Sequence, residues 1–152
     1  MPGISVVSSH GILSEIGVCL DNFPNAANLC SWCGVCPGNN ESAGKRHSGR
    51  SPVRRHHLKK LMTEVAWAAV KKKGSYYKSK FYNLKARRGP KRAIMAIAHR
   101  ILKAVYAIVK DGATYRELGE DYLALRKKDS RLSYLRSQAR KFGYRLVADQ
   151  GV

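Results

Sequence analysis

Between Gly89-Pro90 and Asp111-Gly112 lies the segment that most limits how this chain can fold. Ala93, Ile94, Ile97, Ile101, Leu102, Val105, Ile108 and Val109 recur at helical spacing and cover most of a helix's circumference. A helix that is apolar on most sides must be surrounded, so it is expected at the centre of a bundle. His99, Arg100 and Lys103 interrupt the apolar run. It therefore falls short of the roughly 18 uninterrupted apolar residues that a membrane span requires.

Helix signals recur on both sides of this segment. Asn25 can cap a short helix over residues 26–33 that Gly34 ends. Pro52 suits a helix start, and Leu58, Leu61, Met62, Val65 and Ala69 carry an apolar stripe to about Lys73, where Gly74 breaks it. Tyr77, Phe81 and Leu84 mark another helix, to Arg88. A last, more polar helix runs from Asp121 to Phe142 and closes at Gly143, with a short strand expected over 144–148. The expected class is mainly α: a helix-hairpin-helix-like N-terminal element followed by a multi-helix domain. The first element, residues 2–17, has a Pro-Gly turn, a short apolar helix and Ile16-Gly17, with Ser5 where a second hairpin glycine would stand. Such a motif offers backbone N–H groups to a DNA phosphate, while an ordinary turn and packing helix explains the same residues.

Charge divides the chain. Residues 1–44 hold no Lys or Arg and three acids, whereas residues 45–110 hold 20 Lys/Arg against the single acid Glu64. The chain as a whole carries a formal charge of +19. With 44% apolar residues it can still bury a core, so wholesale disorder is not expected. Most of these cations do not fall on one face of an amphipathic helix, which favours nucleic acid over a membrane surface. The first 20 residues lack a charged start, which argues against a secretory signal and for the cytoplasm, where thiols stay reduced.

At the acidic-to-basic border stands Cys36-Pro37-Gly38-Asn39-Asn40-Glu41-Ser42-Ala43-Gly44-Lys45-Arg46, within a Gly-, Asn-, Ser- and Pro-rich stretch, 35–52, that reads as a functional loop. A serine becomes a nucleophile only if its proton is removed and the developing charge is stabilised. Gly38 and Gly44 would let the backbone approach a phosphate, and Lys45, Arg46 and Arg50 would hold its oxygens. Arg54 and Arg55 extend the cationic stretch. On spacing alone the signal is weak, because serines beside loop glycines are common.

The residues carry a resemblance that says more. The run Phe23-Pro24-Asn25-Ala26-Ala27-Asn28-Leu29, then Ser31-Trp32, Gly34 and 36–46, is followed in order by Ala66-Trp67-Ala68-Ala69, Ala86-Arg87-Arg88-Gly89, Lys91-Arg92-Ala93-Ile94 and Tyr115-Arg116-Glu117-Leu118-Gly119. This set, spanning nearly the whole chain, resembles the C-terminal domain of the "one-ten" insertion-sequence transposases. That family joins a RuvC-like domain with a DEDD acidic set to a serine-bearing domain, and some members are guided by a bridge RNA. The resemblance implies that Ser42 is the nucleophile that attacks a DNA phosphodiester, with Gly44, Lys45, Arg46 and Arg50 around the phosphate. Arg54 and Arg55 are further expected nucleic-acid contacts, in a stretch, Ser51-Pro52-Val53-Arg54-Arg55, that departs from the family's usual Thr-Arg-Lys-Gly-Asn. It implies DNA and a guide RNA as partners, and a homo-oligomer as the intact family enzyme. Mg²⁺ would belong to the RuvC-like domain, and no cofactor is expected in this chain. The domain reading is a helix-hairpin-helix-like remnant over 1–22 and the transposase C-terminal domain over 23–152. Nothing like the RuvC-like domain precedes residue 1, so a truncated reading frame, inactive alone, is expected. The alternative is a non-catalytic helix-hairpin-helix nucleic-acid-binding accessory protein.

Three other constellations compete. Cys30, Cys33 and Cys36 follow an iron–sulfur-like spacing, but Asn40 stands where a fourth cysteine belongs. A zinc set with His47 is conceivable, yet small buried residues explain the cysteines better, so no metal is expected. His56-His57 would diverge by about 100° on a helix, too far to share one metal, and a phosphate-facing or solvent role suits them. Lys71 to Tyr82 interleaves cations with aromatics, as single-strand stacking surfaces do. There Tyr77 and Phe81 have core spacing, whereas Tyr76 and Tyr82 are expected to stay exposed.

Overall fold

The computed structural model describes residues 1–37, 40–48 and 57–147, with 40–42 and 46–48 described by their backbone. Among these residues the chain forms α1 (Val6–Ile16), α2 (Ala26–Trp32), the strands β1 (Asn40–Ser42) and β2 (Lys45–Ser48), then α3 (His57–Lys71), α4 (Tyr76–Arg88), α5 (Pro90–Asp111) and α6 (Tyr122–Lys141). The protein is mainly helical, as the sequence predicts.

Local chemistry sets the helix ends. Ser5, in extended conformation, caps α1 through a reciprocal box with Ser8: Ser8 N donates to Ser5 Oγ at 3.2 Å and Ser5 N to Ser8 Oγ at 2.8 Å. Asn25 Oδ1 accepts from Asn28 N at 2.9 Å and starts α2. Ser75 caps α4 by accepting from Lys78 N, and its hydroxyl donates to Ala69 O at 3.2 Å. Ser75 is the single fully buried polar side chain among the described residues, and these two bonds satisfy it. Pro90 opens α5, and Gly112 closes it in the left-handed region at φ 62°.

Helix α5 is the axis of the molecule. Ala93, Ile94, Ile97, Ala98, Ile101, Leu102, Val105 and Tyr106 are all buried on it, and it packs against α2, α3 and α4. The Tyr106 hydroxyl lies 3.0 Å from Phe23 O and 3.1 Å from Pro24 O, tying the entry to α2 onto α5. Ile12, Ile16 and Leu20 join the same core, so residues 1–22 share it with the rest of the chain. At Gly3 the packing is closest. Its φ is +80°, and a Cβ there would stand 2.3 Å from Val65 O and 2.7 Å from Ala69 N. Only glycine lets the Pro2-Gly3 turn lie on the backbone of α3.

Three expectations are corrected. Residues 144–147 form no strand: Tyr144, Arg145, Leu146 and Val147 are exposed, and Tyr144 N instead donates back to Ala139 O at the end of α6. Residue 148 lies outside the described residues, as do Pro52 and His56. The stretch 35–52, read as a functional loop, contains a β-hairpin. Tyr76 is buried rather than exposed, because its ring meets Tyr77 at 5.5 Å and Tyr122 at 5.8 Å, with the Arg100 guanidinium 6.0 Å above it. Tyr82 is exposed as expected.

Candidate nucleic-acid interface

Ser42 ends β1, one residue before the tip of the hairpin. The strands pair antiparallel, Ser42 with Lys45, Glu41 with Arg46 and Asn40 with Ser48, so β2 carries one extra residue, His47, between the last two pairs. Between Ser42 and Lys45 stand only Ala43 and Gly44, at φ 50° and 74°. A two-residue hairpin needs this positive pair because its twist then matches the twist of the strands. Gly44 suits the conformation, and a Cβ there would meet nothing within 4 Å. Ala43 has no such freedom and holds a left-handed conformation at a cost of about 1–2 kcal/mol. Ala43, Gly44 and Lys45 are exposed. Of the residues expected to contact nucleic acid, Gly44, Lys45 and Arg46 lie in the hairpin with Ser42. Arg50, Arg54 and Arg55 lie outside the described residues, as does Gly38.

The segment leading into the hairpin is anchored in the core. Leu29, Cys30, Cys33 and Val35 are buried, and Cys30 Sγ stands 3.8 Å from His99 O on α5. Burial pushes the Cys30 and Cys33 thiols up to about 12, the neighbouring thiols adding to it, with Lys103 opposing at Cys30 and Lys59 at Cys33. Both stay protonated near neutral pH and behave as small apolar groups. No cluster of three or more His, Cys, Asp or Glu is assembled among the described residues, and the His47 side chain lies outside that description. His57, exposed at the start of α3, places Nδ1 3.3 Å from Glu15 Oε1 and so links α3 to α1.

The cationic helices form a second feature. No carboxylate pairs with a Lys or Arg of α4, α5 or α6 among the described residues. Where these helices meet, burial pulls Lys80 below the ordinary lysine range, and Arg100, Arg87, Lys127 and Arg126 pull it further. Lys127 Nζ donates to Asn83 Oδ1 at 3.0 Å, and Lys85 sits 5.7 Å over the ring of the exposed Tyr82. Like charges gathered without acids repel one another, and a bound polyanion relieves that repulsion. Sequence reading did not single out Arg126 or Lys127. The signal was there, in basic residues recurring along α6 with Asp129 as its one acid.

The Pro2-Gly3 turn and α1 match the outline of half a helix-hairpin-helix. The Ser5–Ser8 box, however, already occupies the amide of Ser8, one of the groups such a motif would turn to a phosphate.

Residues 1–83 match the family model described as Transposase IS116/IS110/IS902 family, which covers more than half of the 152 residues. No curated protein and no solved structure matches the chain. With this match over more than half of its residues, the chain belongs to the IS116/IS110/IS902 transposase family.

Proposed function

We propose that this chain is the serine-bearing, DNA-binding C-terminal region of a transposase of this family, and that Ser42 is its nucleophile. In the proposed step Ser42 Oγ gives up its proton and forms a P–O bond to a DNA phosphate. The phosphate's bond to a deoxyribose oxygen breaks, and that oxygen takes a proton. Reversal with a new strand end rejoins the DNA. Lys45, Arg46 and Arg50 would offset the charge that builds on the phosphoryl oxygens, and Gly44 would leave room for the strand. Arg54 and Arg55 would extend the phosphate contacts. Mg²⁺ would be held by carboxylates of a RuvC-like region and would stabilise charge there, since the described residues here gather no such set. A guide RNA, a homo-oligomeric working form and a cytoplasmic setting belong to the same proposal.

The observation that supports this reading best is the position of Ser42, joined to a two-residue tip with both φ positive and paired with the exposed Lys45. The test supplies the RuvC-like region in trans with Mg²⁺ and looks for a protein–DNA adduct on denaturing gels. Ser42→Ala should abolish the adduct and leave DNA affinity within about twofold, because phosphate contacts dominate binding. An adduct that survives Ser42→Ala, or that maps to another side chain, overturns the reading. Persistent DNA binding with no adduct from the parent protein favours the accessory-protein alternative.

A further inference from the structure

A cleft of about 380 Å³ opens between the second half of α5 and the extended segment 113–118 that follows it. The half-buried Ala104, Ala107 and Ile108 on one turn of α5 give it an apolar floor, Tyr76, Tyr77 and Tyr115 line it as well, and the exposed Arg100, Lys103 and Arg116 stand at its rim. The volume falls in the range of small-molecule sites, about 300–1,000 Å³, which is ample for one nucleotide and far too small for a duplex. The three rim cations are exposed and have no carboxylate partner among the described residues.

No acid is among the residues that line the cleft. Glu117 is not on the cleft wall: its Oε2 accepts from the Tyr115 hydroxyl at 2.7 Å and its Oε1 from Tyr76 N at 2.9 Å. These bonds also pin the segment against the start of α4 and so hold the cleft open. A ligand that fits must offer a flat apolar face to the alanine floor and negative charge to the rim. A nucleotide offers both, whereas an inorganic anion leaves the floor unused.

We infer that the cleft between α5 and residues 113–118 receives a single unpaired nucleotide of the bound DNA, its base over Ala104 and Ala107 and its phosphate among Arg100, Lys103 and Arg116. The inference rests on the DNA-binding reading above and adds a site outside the hairpin. Its role is to take one nucleotide out of the stack and so fix the register of the strand.

Three fluorescent duplexes test it with the full chain by anisotropy: one fully paired, one with a single unpaired thymidine, and one with an abasic residue in its place. The thymidine probe should bind about tenfold more tightly than the abasic probe, the scale of burying one base face against apolar side chains. Ala107→Trp, which fills the cleft, should erase that preference while leaving the paired duplex within about twofold. Arg116→Gln, on an exposed side chain, serves as a second variant should Ala107→Trp disturb folding by circular dichroism, and should reduce the preference severalfold. Equal binding of the thymidine and abasic probes overturns the inference while the paired duplex still binds. Failure to bind any of the three at low salt overturns it together with the DNA-binding reading.

Discussion

Helices α5 and α6 have nearly the same length, 22 and 20 residues, and both are rich in Lys and Arg. Eight residues of α5 are buried and none of α6 is. On α5 the apolar positions fall in adjacent pairs four residues apart (93 and 94, 97 and 98, 101 and 102, 105 and 106), a band wide enough to meet three other helices. On α6 they are sparse and separated by cations. Its first turn packs through Tyr122 on Tyr76, after which Leu125, Tyr134 and Leu135 stand exposed. Composition alone does not separate a central helix from a peripheral one; the angular distribution of the apolar residues does. A lone helix gains most of its stability from packing, so α6 should open locally at low free energy while α5 opens only with the whole fold.

The sharpest contrast should be chemical. Cys19 is exposed, whereas Cys30 and Cys33 are buried beside α5 and pushed up to about 12. An aromatic disulfide reagent should modify Cys19 at least about a thousandfold faster, since the other two must wait for opening and ionise poorly. Comparable rates at all three would mean that the core around α5 is not closed.

Truncations bring the same comparison into stability. Ile97→Ala should cost about 3 kcal/mol in urea denaturation, within the range for buried large-to-small changes. Leu132→Ala on α6 should cost less than about 1 kcal/mol. An equal cost at the two sites would break the contrast and show α6 packed in solution.

Two glycines separate strain from collision. Gly3→Ala should cost about 2–3 kcal/mol, because both φ and the α3 backbone oppose a Cβ. Gly17→Ala, at φ +75° but facing open space, should cost only about 1 kcal/mol by thermal denaturation.

The smallest effect is at Glu117. Burial alone would raise its carboxyl, but hydrogen bonds from the Tyr115 hydroxyl and the Tyr76 and Gly119 amides, with Lys72 nearby, hold it below its ordinary 4.5. A depressed folded value means stability that is present above the unfolded value and lost as pH falls through the folded one. Glu117→Gln should therefore be less stable than the parent near pH 7 by under about 0.5 kcal/mol, given the site's exposure. The gap should shrink as pH falls below about 4.5. A gap that widens in acid would mean the carboxylate is not what holds the 113–118 segment.

Much of the helical layout was readable in advance because helix ends are written in single residues. Asn25, Gly34, Gly74, Gly89-Pro90, Gly112 and Gly143 each act within a few positions of themselves. The hairpin was not readable, since Asn40–Ser42 and Lys45–Ser48 show no apolar alternation and Ala43-Gly44 is not the usual Asn-Gly tip. Tyr76 was misplaced because its burial depends on Tyr122 and Arg100, far along the chain. Ser42 was singled out by its glycine-rich setting and by resemblance, not by any spacing that dictates reactivity.

By itself the sequence determined that α5 would be central, where the helices would stop, and that positive charge would crowd the chain after residue 44, because periodicity, capping and net charge are properties of short stretches or of the whole. Only the tertiary structure decided that Ser42 borders a strained two-residue tip, that Lys80, Arg100 and Lys127 converge, and that Arg100, Lys103 and Arg116 ring one cleft. The hairpin is local, but the other two arrangements join residues distant in the chain, and their positions follow from how α5 is packed rather than from their neighbours in sequence.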